Sequence, residues 1–224
     1  MKKIIRTVSL VTAAVLMLSV FVIGASGSPV SFTDVQTGRW SYSDIEYAVE
    51  KGFIKGVGGG RFAPEEACTR AMVVTVLYRA EGEPEVVFSP VFSDVPAGKW
   101  YSNAVIWAQS KGIVKGTTDT TFSPDAKVTR EQLATIFFRY ASFKQYKLEL
   151  GSELSGFTDS AKISKYASEA IKWAVEIGLI KGLTVNTIGP RGSATREQFA
   201  AIMVRFDKYP FSEGNVETWI IPIE

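Results

Sequence analysis

The 224-residue chain has no histidine and a single cysteine. Without histidine there is no Ser-His-Asp or Cys-His nucleophile pair, no His-ligated zinc and no histidine pH switch. Cys68 cannot close an internal disulfide and cannot alone hold a metal. No excess of one charge stands out either, with 25 Lys and Arg against 23 Asp and Glu. Long apolar runs are scarce. The uncharged stretch from Val8 to Ile23 is shorter than the roughly 20 residues of a bilayer-spanning helix. What is present is ample core material. At 46% hydrophobic residues the chain suits one ordinary domain or several small units sharing a core, and wholesale disorder is excluded.

The N-terminus reads as a secretory signal peptide over residues 1–27. Lys2, Lys3 and Arg6 precede the apolar run, and Gly24-Ala25-Ser26-Gly27 supplies small residues for cleavage. No cysteine follows the run, so a lipid anchor is not expected. The membrane then matters only during export. The segment carries three of the basic residues, which leaves 22 basic and 23 acidic side chains, a net charge of −1. Nothing in that balance argues for nucleic acid. No cofactor or metal is called for.

An internal repeat organises the rest. Phe32-Thr33-Asp34 recurs as Phe92-Ser93-Asp94 and Phe157-Thr158-Asp159. Trp40, Trp100 and Tyr166 follow, then Gly52, Gly112 and Gly178. Ile54-Lys55-Gly56 matches Val114-Lys115-Gly116 and Ile180-Lys181-Gly182. Thr69-Arg70, Thr129-Arg130 and Thr195-Arg196 open the last segment of each unit. The units span 30–82, 90–142 and 155–207, with a tail at 208–224 too short for a passenger domain and expected to pack as a flap or stay partly disordered.

Each unit predicts helix, loop, helix. In the second, Ser102 or Asn103 is expected to cap a first helix ending near Ser110, with Gly112 as its left-handed stop. The second helix carries Leu133, Ile136, Phe137 and Tyr140, a stripe at i, i+3, i+4, i+7. Units one and three repeat it with Val73, Val76, Leu77 and Ala80, and with Phe199, Ile202, Met203 and Phe206. No stripe can bury itself alone. The fold class is therefore mainly α: three helix-loop-helix repeats around a pseudo-threefold three-helix bundle. Cys68 aligns with Val128 and Ala194, so it is expected to be a small buried apolar residue.

The ordered recurrence of Phe-Ser/Thr-Asp, Trp, Gly, Phe-x-Pro and Thr-Arg resembles the S-layer homology domain, in three copies over about 30–207. The resemblance implies a three-pronged spindle, secreted to the cell wall or surface layer. Its grooves between prongs would bind an anionic secondary cell-wall polysaccharide, typically one with a pyruvate-ketal sugar, whose carboxylate meets the arginine of the Thr-Arg motif. Departures are plain. Unit one reads Thr69-Arg70-Ala71-Met72, and units two and three read Thr-Arg-Glu-Gln. Tyr166 replaces tryptophan, and the third loop lacks the aromatic found at Phe62 and Phe122, so repeat three is expected to make the weakest site.

Residue by residue, alternatives stay open. Thr129 with Gln132, and Thr195 with Gln198, predict capping boxes, and Thr69 a simple cap. Arg70, Arg130 and Arg196 place a cation in the first helical turn, where the macrodipole disfavours it. The compensating anion is either Asp34, Asp94 and Asp159 or an external carboxylate held by the guanidinium and free helix N–H groups. Trp40 and Trp100 are sugar platforms or core wedges, whereas Trp107, Trp173 and Tyr47 read as packing residues. The three aspartates cap turns or touch ligand. Gly56, Gly116 and Gly182 permit left-handed backbone or a close approach. Lys55, Lys115 and Lys181 are second cations or solvated. Glu65, Glu66, Glu131 and Glu197 form no recognisable glycosidase pair, so no enzyme is expected. The rival to polysaccharide anchoring is a unit that assembles a surface layer or docks other surface-layer proteins.

Overall fold

The computed structural model describes residues 31–149, 151 and 153–212. The signal-peptide segment lies outside the described residues, as does the tail beyond Ser212. Six α-helices are present among those described: α1 (Tyr42–Glu50), α2 (Arg70–Ala80), α3 (Ser102–Ser110), α4 (Arg130–Phe143), α5 (Ser168–Glu176) and α6 (Arg196–Lys208). Two 3-10 turns, Ser160–Lys162 and Lys165–Ala167, precede α5. No β-strand occurs among the described residues, only isolated bridges.

The predicted ends hold for the long helices. Thr129 and Thr195 each complete a capping box with Gln132 and Gln198, and Thr69 accepts from the Met72 amide. The first helices stop where predicted, with Gly112 at φ +68°. Their start differs. Tyr101, not Ser102 or Asn103, occupies the cap position of α3, without a side-chain bond. The Ser102 hydroxyl instead donates to the Pro96 carbonyl and accepts from the Lys99 amide, so it ties down the preceding loop.

The second helices α2, α4 and α6 supply the shared core, with Val73, Leu77, Leu133, Phe137 and Phe199 buried. Phe137 meets Phe199 and Phe206 at centroid distances of 6.2 and 5.2 Å. The first helices pack across repeats rather than within them: α3 on α2, α5 on α4 and α1 on α6. Each prong therefore joins two repeats, and the last pairing closes the circle. Trp107 meets Tyr78, and Trp173 meets Phe138, in two equivalent joints. In the third, the Tyr47 hydroxyl donates to Asp207 at 2.7 Å.

A ring of backbone hydrogen bonds surrounds the start of the bundle. The amide of Cys68 donates to the Ala194 carbonyl, Ala194 to Val128, and Val128 back to Cys68, at 2.9, 3.0 and 2.9 Å. All three side chains are buried, as their alignment predicts. Burial pushes the Cys68 thiol up to about 12, which keeps it protonated and inert at neutral pH.

Candidate ligand-binding grooves

Each arginine of the Thr-Arg pair lies across a loop of the following repeat. Arg70 donates from Nε to the Phe122 carbonyl and from Nη2 to the Lys115 carbonyl, both at 2.8 Å. Arg130 does the same to Ile188 and Lys181, and Arg196 to Phe62 and Lys55. The arginines of α2 and α6 also stack on Phe122 and Phe62, 4.5 and 4.6 Å from the ring centres. The repeat-start aspartates act on these arginines only from a distance, Asp94 on Arg70, Asp159 on Arg130 and Asp34 on Arg196, each favouring the charged form. Among the described residues no carboxylate forms an ion pair with any of the three.

Asp34, Asp94 and Asp159 hold the loops instead. Each carboxylate accepts from two consecutive amides: Phe62 and Ala63, Phe122 and Ser123, Ile188 and Gly189. Burial pushes Asp34 and Asp159 upward, but the amide bonds outweigh it and hold both below the ordinary carboxylate value. Gly56, Gly116 and Gly182 serve close approach, not left-handed backbone. A Cβ on Gly116 would stand 2.2 Å from the Thr118 carbonyl, and one on Gly182 2.3 Å from Thr184.

The expectation that helix-start amides are free for a ligand is overturned. Arg70 and Ala71 donate their amides to Ala126 and Pro124, Arg130 and Glu131 to Gly192 and Pro190, Arg196 and Glu197 to Glu66 and Pro64. The cap threonines take the next amide. What remains of Arg70 and Arg130 for a ligand is the second N–H of Nη2 and the whole of Nη1, which has no partner among the described residues.

Those arginines open into two grooves. The first, of about 530 Å³, is lined by Arg70 of α2, Gln132, Thr135 and Arg139 of α4, the Val114–Thr117 loop and Tyr166. The second, of about 380 Å³, has Arg130 of α4, Gln198 and Arg205 of α6, the Lys181–Leu183 loop and Trp40. Both fall in the size range of sites for small ligands. The rim aromatics are exposed, Trp40 by 58% and Tyr166 by 55%, and Trp100 by 59% at the equivalent position of the third groove. They are not core wedges. Trp107 and Trp173 are.

Both grooves hold two partly buried arginines. Burial lowers the pKa of Arg70, and Arg139 across the groove lowers it further against a raising contribution from Tyr166. Burial and then Arg205 lower that of Arg130. Two partly desolvated cations thus face one another with no carboxylate between them in the first groove. The second groove includes Glu197, already occupied by Arg39 at 2.6 Å and by the Ser41 hydroxyl. Such an arrangement favours a bound anion.

Sequence reasoning missed the second cation. Arg79, Arg139 and Arg205 each follow the first arginine by nine residues. Nine residues are two and a half helical turns, so the pair sits on opposite faces and each helix feeds two grooves. The loop-holding role of Glu131 and Glu197 was also missed. Glu131 accepts from the Ser164 amide and hydroxyl, at 2.9 and 2.8 Å, and so fixes the loop bearing Tyr166. Glu197 fixes Arg39 and Ser41 on either side of Trp40. No groove belongs to one repeat, so the departures of repeat three are spread over two of them. Tyr166 rims the first groove, while Ile188 lies under Arg130 of the second.

A model of the S-layer homology domain matches this chain at residues 31–71, 91–134 and 156–200, more than half its length. The chain belongs to the S-layer homology domain family. It is similar to an amylopullulanase of Thermoanaerobacterium thermosulfurigenes, 31% identical over 77% of this chain and 9% of that protein. It is 29% identical to the S-layer protein sap of Bacillus anthracis, over 88% of this chain and 23% of that protein. A cellulosome-anchoring protein of Acetivibrio thermocellus is 27% identical over 76% of this chain and 39% of that protein. The chain thus spans well under half the length of these curated relatives.

Proposed function

We propose that this chain is a noncovalent anchor of the bacterial cell surface that binds an anionic wall polysaccharide in its inter-repeat grooves. The observation that carries the reading is the pair of arginines in each of two grooves, Arg70 with Arg139 and Arg130 with Arg205, that make no ion pair among the described residues and stand beside an exposed aromatic face. The guanidinium Nη1 groups receive a carboxylate, as on a pyruvyl-ketal sugar, and Tyr166 or Trp40 receives the apolar face of the ring. The names of two relatives, an S-layer protein and a cellulosome-anchoring protein, agree with a surface-anchoring role. Secretion to the wall or surface layer follows from it, and other surface-layer proteins are potential neighbours. The activity named for the amylopullulanase is not carried over, since the match covers 9% of it and no carboxylate lines the first groove.

The test is cosedimentation of the chain lacking residues 1–27 with purified wall sacculi, before and after acid stripping of secondary polymers. Binding that disappears on stripping is expected. Binding that survives stripping contradicts a polysaccharide receptor and favours peptidoglycan or a protein.

A further inference from the structure

The three grooves are not equivalent, and the differences converge on one of them. The floor of the first is Gln132, Thr135 and Arg139, and that of the second is Gln198, Ala201 and Arg205. In the third, Arg196 of α6 faces α2, whose equivalent residues are Met72, Thr75 and Arg79. Met72 places its Sδ 4.0 Å from Nη1 of Arg196, the nitrogen that stays unpartnered in Arg70 and Arg130. A thioether donates no hydrogen bond and is at most a weak acceptor, whereas the glutamine amide both donates and accepts.

The second cation is also altered. Arg79 pairs with Glu83 at 3.7 Å, while Arg139 and Arg205 make no ion pair among the described residues, Asp44 acting on Arg205 only from a distance. Arg70 and Arg130 each sense an arginine across their groove, and Arg196 does not. Finally, α2 has Ala71 where α4 and α6 have Glu131 and Glu197. The carboxylate that would clamp the loop bearing Trp100 is absent, and Trp100 leans edge-on against its own neighbour Tyr101, at 5.2 Å and 85°. Three changes, Met72 and Ala71 on α2 and Glu83 just beyond its end, remove a donor, pair a charge and leave the Trp100 loop to Ser102 without a carboxylate clamp.

We propose that this chain binds anionic saccharide in two grooves, those of Arg70 with Gln132 and Arg130 with Gln198, and that Met72, Glu83 and Ala71 close the third to the same ligand. The inference rests on the polysaccharide reading above. Affinity in the third groove is lower by about ten- to a hundredfold, the equivalent of one hydrogen bond to a charged partner.

The experiment is a titration of the chain with a methyl glycoside carrying a pyruvyl ketal, read by the NMR signals of the arginine Nε–H groups. Signals of Arg70 and Arg130 are expected to move together and saturate, with that of Arg196 still. The Gln132→Met variant is expected to silence Arg70 alone, and Ala71→Glu combined with Met72→Gln to bring Arg196 into the response. Arg196 moving in the unaltered chain at the same concentration overturns the inference and leaves the anchor reading standing. No arginine moving at all overturns both. Thermal melts of each variant confirm that a lost signal is not lost folding.

Discussion

The guanidinium of Arg70 has two duties, and substitutions separate them. Nε and Nη2 hold two carbonyls, a buried one of Phe122 and a part-buried one of Lys115, so Arg70→Lys keeps the charge but leaves at least one carbonyl short. A destabilisation of about 1–3 kcal/mol is expected in denaturant unfolding. Arg139 has no such bonds among the described residues. Arg139→Gln is therefore expected to weaken polymer binding about ten- to a hundredfold with an unchanged melting temperature. Equal stability loss in both variants would contradict this division. Glu197 titrates by the same bonds that position Trp40. Burial raises its pKa, yet the bonds from Arg39 and Ser41 bring it below the ordinary value of 4.5. A depressed pKa means stability that is present above about 4.5 and lost as pH falls through the lower folded value. Stability is thus expected to decline on the acid side of pH 4.5, less steeply in Glu197→Gln. Parallel acid limbs for the two proteins would refute it. At this scale the sequence was half legible. Repetition exposed Thr129, Arg130 and Asp94, but not their partners. Asp94 bonds amides 28 and 29 residues away, and Arg130 a carbonyl 58 away. No local pattern encodes a bond that only the tertiary fold brings together.

Among the elements, the helices were the readable part and the loops were not. Capping boxes, glycine stops and apolar stripes are local, so they survive in a single sequence. The loops between helices are shaped by close contacts instead. Gly116 lies where a Cβ would meet two carbonyls at 2.2 and 2.6 Å. Gly116→Ala is expected to destabilise by about 1–3 kcal/mol, as overpacking does. Ser123 offers the opposite case. It sits at φ +58°, while the equivalent residue of repeat three is already glycine, Gly189 at +66°. A non-glycine residue there costs about 1–2 kcal/mol. Ser123→Gly is therefore expected to raise the melting temperature despite the loss of its hydroxyl contact with Thr117. A fall in melting temperature would show that this contact outweighs the backbone strain.

For the molecule as a whole, the decisive feature is circular closure. Because α1 packs on α6, the first and last repeats complete each other. The hydrogen-bond ring through Cys68, Val128 and Ala194 needs all three. Unfolding is expected as one cooperative transition, and a fragment ending at residue 142 is expected to show none, since α1 and α2 lose their neighbours from repeat three. A cooperative melt of that fragment in calorimetry would contradict closure. The same topology explains why function was harder to place than fold. The helical stripes announce a shared bundle, but nothing in one repeat tells which neighbour supplies its second arginine or its aromatic rim. The central claim is that composite cationic grooves recognise the acidic groups of a wall polymer. The most direct test compares its affinity for the purified polymer with that for the same polymer after its acidic substituents are removed and its backbone left intact. A loss of binding by at least about tenfold, one decade per 1.4 kcal/mol, is expected. Equal affinity for both polymers would contradict the account.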